Sequence, residues 1–191
     1  MCIREAMIHH AAGASFALSV LLAVGCGGQP AQASALPAAS AKQAETELEL
    51  GAPMPNVTLT LQDGFALSLT AMKGKPIALF FCSDSADPEC ATEAQGLRDH
   101  WEDLHHNHNL VIVGISPQPA SAHQAFIAQH QLHYDLASDP DGQIAQAFHV
   151  PVRPGMPPHT ILIGRDGKIR ATWQTADPER HAREISTAVR D

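Results

Sequence analysis

The sequence predicts an α/β domain: a mixed central sheet with an N-terminal hairpin and helices on both faces. Three observations carry this. "VTLTL", "QDG" and "FALSL" (57–69) alternate with period two around a turn signal, the pattern of a β-hairpin. "IALFFC" (77–82) and "NLVIVGIS" (109–116) are apolar runs of strand length, suited to a sheet buried on both faces. Between and after these runs, stretches of helical spacing alternate with further strand-like segments, which places helices against a sheet.

Each element follows in order. "KGKP" punctuates the first hairpin, and the apolar strand ends at Cys82. A helix then has a sharp start: Asp87 is a good N-cap, Pro88 is favoured at the first helical position, and Glu89 suits the positive end of the dipole. The helix continues through "ATEAQGLRDHWEDLHHN", with Ala94, Leu97, Trp101 and Leu104 as its buried stripe. Ser121 can cap a second helix that ends near His130, "YDLAS" is a short strand, and "SDPDG" precedes a helix of about two turns through "QIAQAFHV". "HTILIG", the turn "RDG" and "KIRATW" form a second hairpin, and Asp177 with Pro178 starts a last helix.

The chain has 191 residues, enough for one domain with extra sequence. Twelve Lys and Arg against twenty Asp and Glu give a net charge of −8, and no basic cluster occurs, which argues against a nucleic-acid partner. Residues 11–24 form an apolar run too short to span a bilayer comfortably, and read as the core of a secretory signal. The run ends at "LLAVGCGG", which resembles the lipobox of bacterial lipoproteins, in which Cys26 would be lipidated as the mature N-terminus. Ordinary cleavage at "AQA" or "ASA" (31–35) is the alternative. Both routes export the protein to the cell envelope or periplasm, lipid-anchored in the first case. Residues 1–25 are accordingly assigned to the export signal, 26–50 to a flexible linker rich in Ala, Gln, Ser and Pro, and 51–191 to the folded domain.

Of the four cysteines, Cys2 falls in the signal and Cys26 at its end, so Cys82 and Cys90 remain for the domain. Two thiols make no disulfide framework, which directs attention to redox or nucleophilic chemistry. Cys90 sits at the third helical position, where the dipole favours a thiolate; catalytic thiols at such places titrate at roughly 3.5–7.5 against about 8.5 for a free one. Cys82 reads either as a buried hydrophobe or as a partner for Cys90, the latter requiring Cα atoms within about 7 Å. His100, His105, His106 and His108 read as a solvated helix end, and no Cys or His pair has metal-finger spacing, so neither metal nor cofactor is expected. His159 reads either as a residue that orients a ligand or as a surface residue, and Arg153 and Arg165 are candidates for a positive charge near Cys90.

The segments "GAPMPNVTLTLQDGFALSL", "KGKPIALFF", "ECATEAQGLRDHWEDL", "VIVGISPQPASAHQAFIAQHQLHYDLASDPDGQIAQAFHV" and "TILIGRDGKIRATW" resemble, in order and spacing, the thioredoxin-like fold of the alkyl hydroperoxide reductase and thiol-specific antioxidant superfamily of peroxiredoxins. They look most like the bacterioferritin comigratory protein type. The resemblance implies that Cys90 is the peroxidatic cysteine, which attacks a hydroperoxide as a thiolate and becomes a sulfenic acid. It also implies a thiol reductant, such as a thioredoxin-like protein.

Several residues depart from the family pattern. The family places a proline seven residues before the cysteine and a threonine three before it, where this chain has Ser83 and Asp87. An ionised Asp87 only accepts hydrogen bonds and, with Glu89, opposes thiolate formation. Gln95 stands where this type commonly has a resolving cysteine, and Pro158 where the family has the arginine that steadies the thiolate. "VRPGMPPHTILIG" also resembles thioredoxin-like thiol-disulfide oxidoreductases, in which a cis-proline faces the site; Pro158 is the candidate. Two alternatives to a peroxidase therefore stand: a thiol-disulfide oxidoreductase, and a thioredoxin-fold binding or assembly module at the membrane with weakened catalysis.

Overall fold

The computed structural model describes residues 48–84, 87–174 and 177–190. The export signal, Cys26 and nearly all of the linker lie outside the described residues. Leu48 packs against the core and Gly51 N–H donates to Ile169 O at 2.8 Å, so the last residues assigned to the linker already belong to the domain.

The hairpin forms as β1 (Thr58–Leu61) and β2 (Ala66–Ser68). β3 (Ile77–Phe81) is buried at all five positions. Then come α1 (Pro88–Asp99), β4 (Val111–Ser116), α2 (Ala120–His130), β5 (Asp135–Ser138), α3 (Gln143–Ala147), β6 (His159–Ile163), β7 (Ile169–Gln174) and α4 (Pro178–Ala188). The seven strands lie in the order β2-β1-β5-β4-β3-β6-β7. β3, β4 and β5 are parallel, while β1, β6 and β7 join antiparallel, which gives the mixed sheet expected.

Because side chains alternate along a strand, the sheet divides the core in two. Ile77, Leu79 and Phe81 of β3 pack with Phe148, just beyond α3, on one face. Ala78, Phe80 and Cys82 face α1, α2 and α4 on the other. Gly96 permits the approach of α1 to α4: a Cβ there would lie 2.5 Å from Pro178 Cβ, part of a ring that cannot yield. Alanine ordinarily favours a helix by about 1 kcal/mol over glycine. Gly96→Ala is nonetheless expected to destabilise the fold by about 1–3 kcal/mol, as overpacking does, measured by urea denaturation; an unchanged midpoint would mean that α4 moves away freely.

Two boundaries differ from expectation. α1 does not run on to Asn107; it ends at Asp99, and a π-helical segment spans Glu102–Asn107. His100 Nδ1 lies 3.0 Å from Gly96 O, and the wider turn lets Trp101 stack on His105 at 4.3 Å while Leu104 stays fully buried. Ser121 does not cap α2. Pro119 holds that place in extended conformation, its carbonyl accepting from Ala122 N and His123 N, and Ser121 is an exposed residue inside the helix.

Candidate active site

The site forms at the C-terminal ends of the parallel strands, the edge at which open α/β sheets generally bind ligands. Cys82 follows the last residue of β3, and its amide donates to Ile115 O of β4 at 2.9 Å. Cys90 is fixed from the other side by the start of α1. Asp87 is the N-cap: its Oδ1 accepts from Glu89 N at 3.0 Å, with Pro88 at the first helical position. Strand end and helix start thus converge. The structure joins Cys82 and Cys90 in a disulfide, with Cα atoms 5.9 Å apart. That spacing lies inside the range a bridge requires, so α1 need not unravel for the bond to form. Both cysteines are 4% exposed.

Beside the disulfide opens a cavity of about 340 Å³, with Cys82, Ser83, Ser116, Asp139 and Arg153 among its lining residues. Cys82 reaches it from the sheet; Cys90 lies behind. Arg153 is exposed and lines this cavity together with Cys82. Arg165 does not. Its Nη2 donates to His108 O at 2.9 Å, near the β6–β7 turn at the opposite end of β3. Gln95 is turned toward α2, its amide 2.8 Å from His130 Nδ1.

Continuing the antiparallel register of Phe81 with His159 by one residue places buried Pro158 across from Cys82. His159 shares the register position, and therefore the sheet face, of Phe81, so it lies on the face opposite the disulfide. Burial pushes its pKa down, and its Nδ1 has no hydrogen-bond partner. The expectation that His159 orients a ligand at the cysteines is corrected by strand alternation. Among the described residues no cluster of three or more His, Cys, Asp or Glu is arranged to hold a metal ion.

Three polar residues at this edge carried no distinctive sequence signal. Asp139 is buried and accepts from Ile144 N at 3.1 Å and Ala145 N at 2.9 Å, doing from outside the helix what an N-cap does for α3. Ser116 and His123 are buried and 2.7 Å apart. His123 stands three residues before Phe126 on the inner side of α2, and that spacing is the one hint the sequence offered.

The AhpC/TSA family profile matches residues 50–172, well over half of the chain. The chain belongs to the AhpC/TSA family. Within it, a Coxiella burnetii chain named as a peroxiredoxin bcp is 33% identical over 146 residues, covering 72% of this chain and 96% of its own. Peroxiredoxin Bcp of Bacillus subtilis is 29% identical over 152 residues, covering 75% and 96%. Among solved structures, peroxidoxin BcpB from Mycobacterium tuberculosis superposes with a TM-score of 0.68 at 24% identity, covering 75% of this chain and 97% of that one. The AhpC/TSA fold is therefore this chain's fold. Against that frame, Ser83, Asp87, Gln95 and Pro158 stand at the positions where the sequence departs from the pattern the resemblance implied, and three of them adjoin the disulfide in the chain or in register.

Proposed function

We propose that this protein is a thiol-dependent peroxidase that reduces hydroperoxides, with Cys90 as the attacking thiol and Cys82 as its resolving partner. The observation that carries the reading is the Cys82–Cys90 pair, held at a Cα separation of 5.9 Å at the helix start of an AhpC/TSA domain. In the first step the Cys90 thiolate attacks one peroxide oxygen and the O–O bond breaks. The alkoxide leaves, takes up a proton as the alcohol, and Cys90 is left as a sulfenic acid. Cys82 sulfur then attacks Cys90 sulfur; the S–S bond forms, the S–O bond breaks, and water leaves. Two electrons and two protons from an external dithiol restore both thiols. A thioredoxin-like protein fits that role, since the cavity exposes the Cys82 side of the bond to an incoming thiolate.

Cys82 takes the part that Gln95 cannot. The resolving thiol lies eight residues before the attacking one. The test is one equivalent of hydrogen peroxide added to the fully reduced protein. The expected product is an intramolecular Cys82–Cys90 disulfide, seen as a mass loss of two hydrogens and as the linked peptide pair. A stable Cys90 sulfenic acid with Cys82 still free would remove the resolving role. Two thiols untouched by peroxide, but oxidised readily by a disulfide peptide, would replace the peroxidase with a thiol-disulfide oxidoreductase, the reading favoured by Pro158 opposite Cys82.

The same reading includes export to the cell envelope, supported by the apolar run 11–24 and by "LLAVGCGG". Intact mass of the mature protein from a bacterial host distinguishes a diacylglyceryl adduct on Cys26 from free cleavage in 31–35. A mass retaining residues 1–25 would overturn export.

A further inference from the structure

Beside the disulfide lies a second, much smaller cavity of about 10 Å³, whose wall includes Cys82, Cys90, Ser116, His123, Phe126 and Leu136. A space of that size is at the threshold for one water. His123, 1% exposed, contributes an unsatisfied group to this otherwise apolar surrounding. Its Nε2 is 2.7 Å from Ser116 Oγ, whereas its Nδ1 is buried with no hydrogen-bond partner. Leaving such a nitrogen unpaired is costly. A phenylalanine-like side chain would fill the same place without that cost. Ser116 lines both this void and the open cavity, so it connects the two.

We propose that His123, relayed through Ser116, carries away the proton that Cys82 must lose to close the disulfide on oxidised Cys90. The inference rests on the assignment of Cys90 and Cys82 made above. Cys82 is 4% exposed and attacks only as a thiolate, so its proton needs a route out. The Cys82 thiol proton passes to His123 Nδ1 as the Nε2 proton passes to Ser116 Oγ, whose own proton leaves into the cavity. Cys82 sulfur attacks Cys90 sulfur, and the hydroxide released from the sulfenic acid takes up a proton as water. Nothing beyond the peroxide already spent is consumed. When the disulfide is reduced, Cys82 regains its proton by the reverse path.

Burial pushes the pKa of His123 down, so the ring stays neutral at ordinary pH. That suits a relay in which one ring nitrogen gains a proton as the other gives one up, with no lasting charge. The titratable groups on the void's wall are Cys82 from β3, Cys90 from α1 and His123 from α2; β5 contributes Leu136 there, and β4 contributes Ser116. Across the open cavity stand Asp139, Asp141 and Arg153.

The experiment uses the full reduced chain, one equivalent of hydrogen peroxide, rapid quenching, and mass detection of dimedone-trapped sulfenic acid and of the disulfide, from pH 5.5 to 8. In the parent, closure is fast and nearly independent of pH. In His123→Gln, closure is expected to slow by about a hundredfold, as loss of a positioned proton carrier does. Cys90 sulfenic acid then accumulates, and the closure rate rises about tenfold per pH unit as hydroxide takes over. Ser116→Ala is expected to show the same change in pH profile with a smaller slowing, and it carries the test if His123→Gln does not fold. Closure at the parental rate and pH profile in a folded variant would overturn this inference alone. A parent that halts at the sulfenic acid would overturn it together with the resolving role of Cys82.

Discussion

Cys90→Ser is expected to abolish peroxide turnover, lowering the second-order rate with hydrogen peroxide at least about a thousandfold, or about 4 kcal/mol of barrier. Serine keeps the size and the helix start but has no accessible anion, and no other thiol holds a helix N-terminal position in the domain. Cys82→Ser separates the two halves of the cycle. It keeps the attacking thiol, so one turnover ending at a Cys90 sulfenic acid is expected, followed by failure to recycle with a dithiol protein and progressive over-oxidation. Stopped-flow peroxide consumption with and without reductant measures both. Parental rates in Cys90→Ser would sink the peroxidase reading. Full recycling in Cys82→Ser would show that the reductant meets Cys90 directly, as in a one-cysteine enzyme.

Asp87 bears on the size of that rate rather than on its existence. It anchors α1 through Glu89 N, and in doing so it brings a carboxylate to the thiolate's end of the helix. The position therefore combines a favourable cap with an unfavourable charge. Asp87→Thr retains a capping oxygen and removes the charge, and is expected to raise the rate of Cys90 with peroxide at neutral pH by several-fold. No change would place the carboxylate's field outside reach of the sulfur.

Acidification is expected to destabilise the fold by about 3 kcal/mol between pH 6.5 and 4, principally through His181. This histidine of α4 is 1% exposed, with Nε2 3.3 Å from Glu93 Oε1 of α1 and its ring edge-on to Trp173 at 5.2 Å. The two atoms are close but not aligned as a hydrogen bond. Burial governs the ring and pushes its pKa down to about 4, against a smaller upward pull from Glu184. The folded protein therefore refuses a proton that the unfolded chain accepts below about 6.5. Unfolding then takes up protons across that window, stability falls as pH drops through it, and above it the contribution is complete. Burial also pushes His123 and His159 down, and both act in the same direction. Urea denaturation at pH 7.5, 6, 5 and 4.5 measures the slope. In His181→Gln, which cannot titrate, the slope should lose most of its steepness; an unchanged slope would assign the acid sensitivity to other groups.

Much of the fold was legible because it depends on local patterns. Apolar runs of strand length became β3 and β4, and Asp-Pro pairs became the starts of α1 and α4, with both aspartates accepting backbone amides as expected. The misplaced boundaries have local causes. A wider, π-helical turn follows α1, where Trp101 stacks on His105, and an extended Pro119 took the place offered to Ser121. The site was legible only in part. Cys90 was marked by the helix it begins, whereas Cys82 had no local mark, since the end of a buried strand suits an inert thiol equally well.

What the sequence by itself determined is therefore the set of elements and the presentation of Cys90: spacing, caps and turn residues act over a few positions and are read directly from them. Only the tertiary structure decided the company that thiol keeps. Parallel pairing of β3 with β4 brought Ser116 beside Cys82, packing of α2 brought His123 beside both cysteines, and strand alternation sent His159 to the other face. The convergence of strand end and helix start set the 5.9 Å between the cysteines. These are contacts between separate elements, fixed by which faces pack together, and no short-range pattern encodes them.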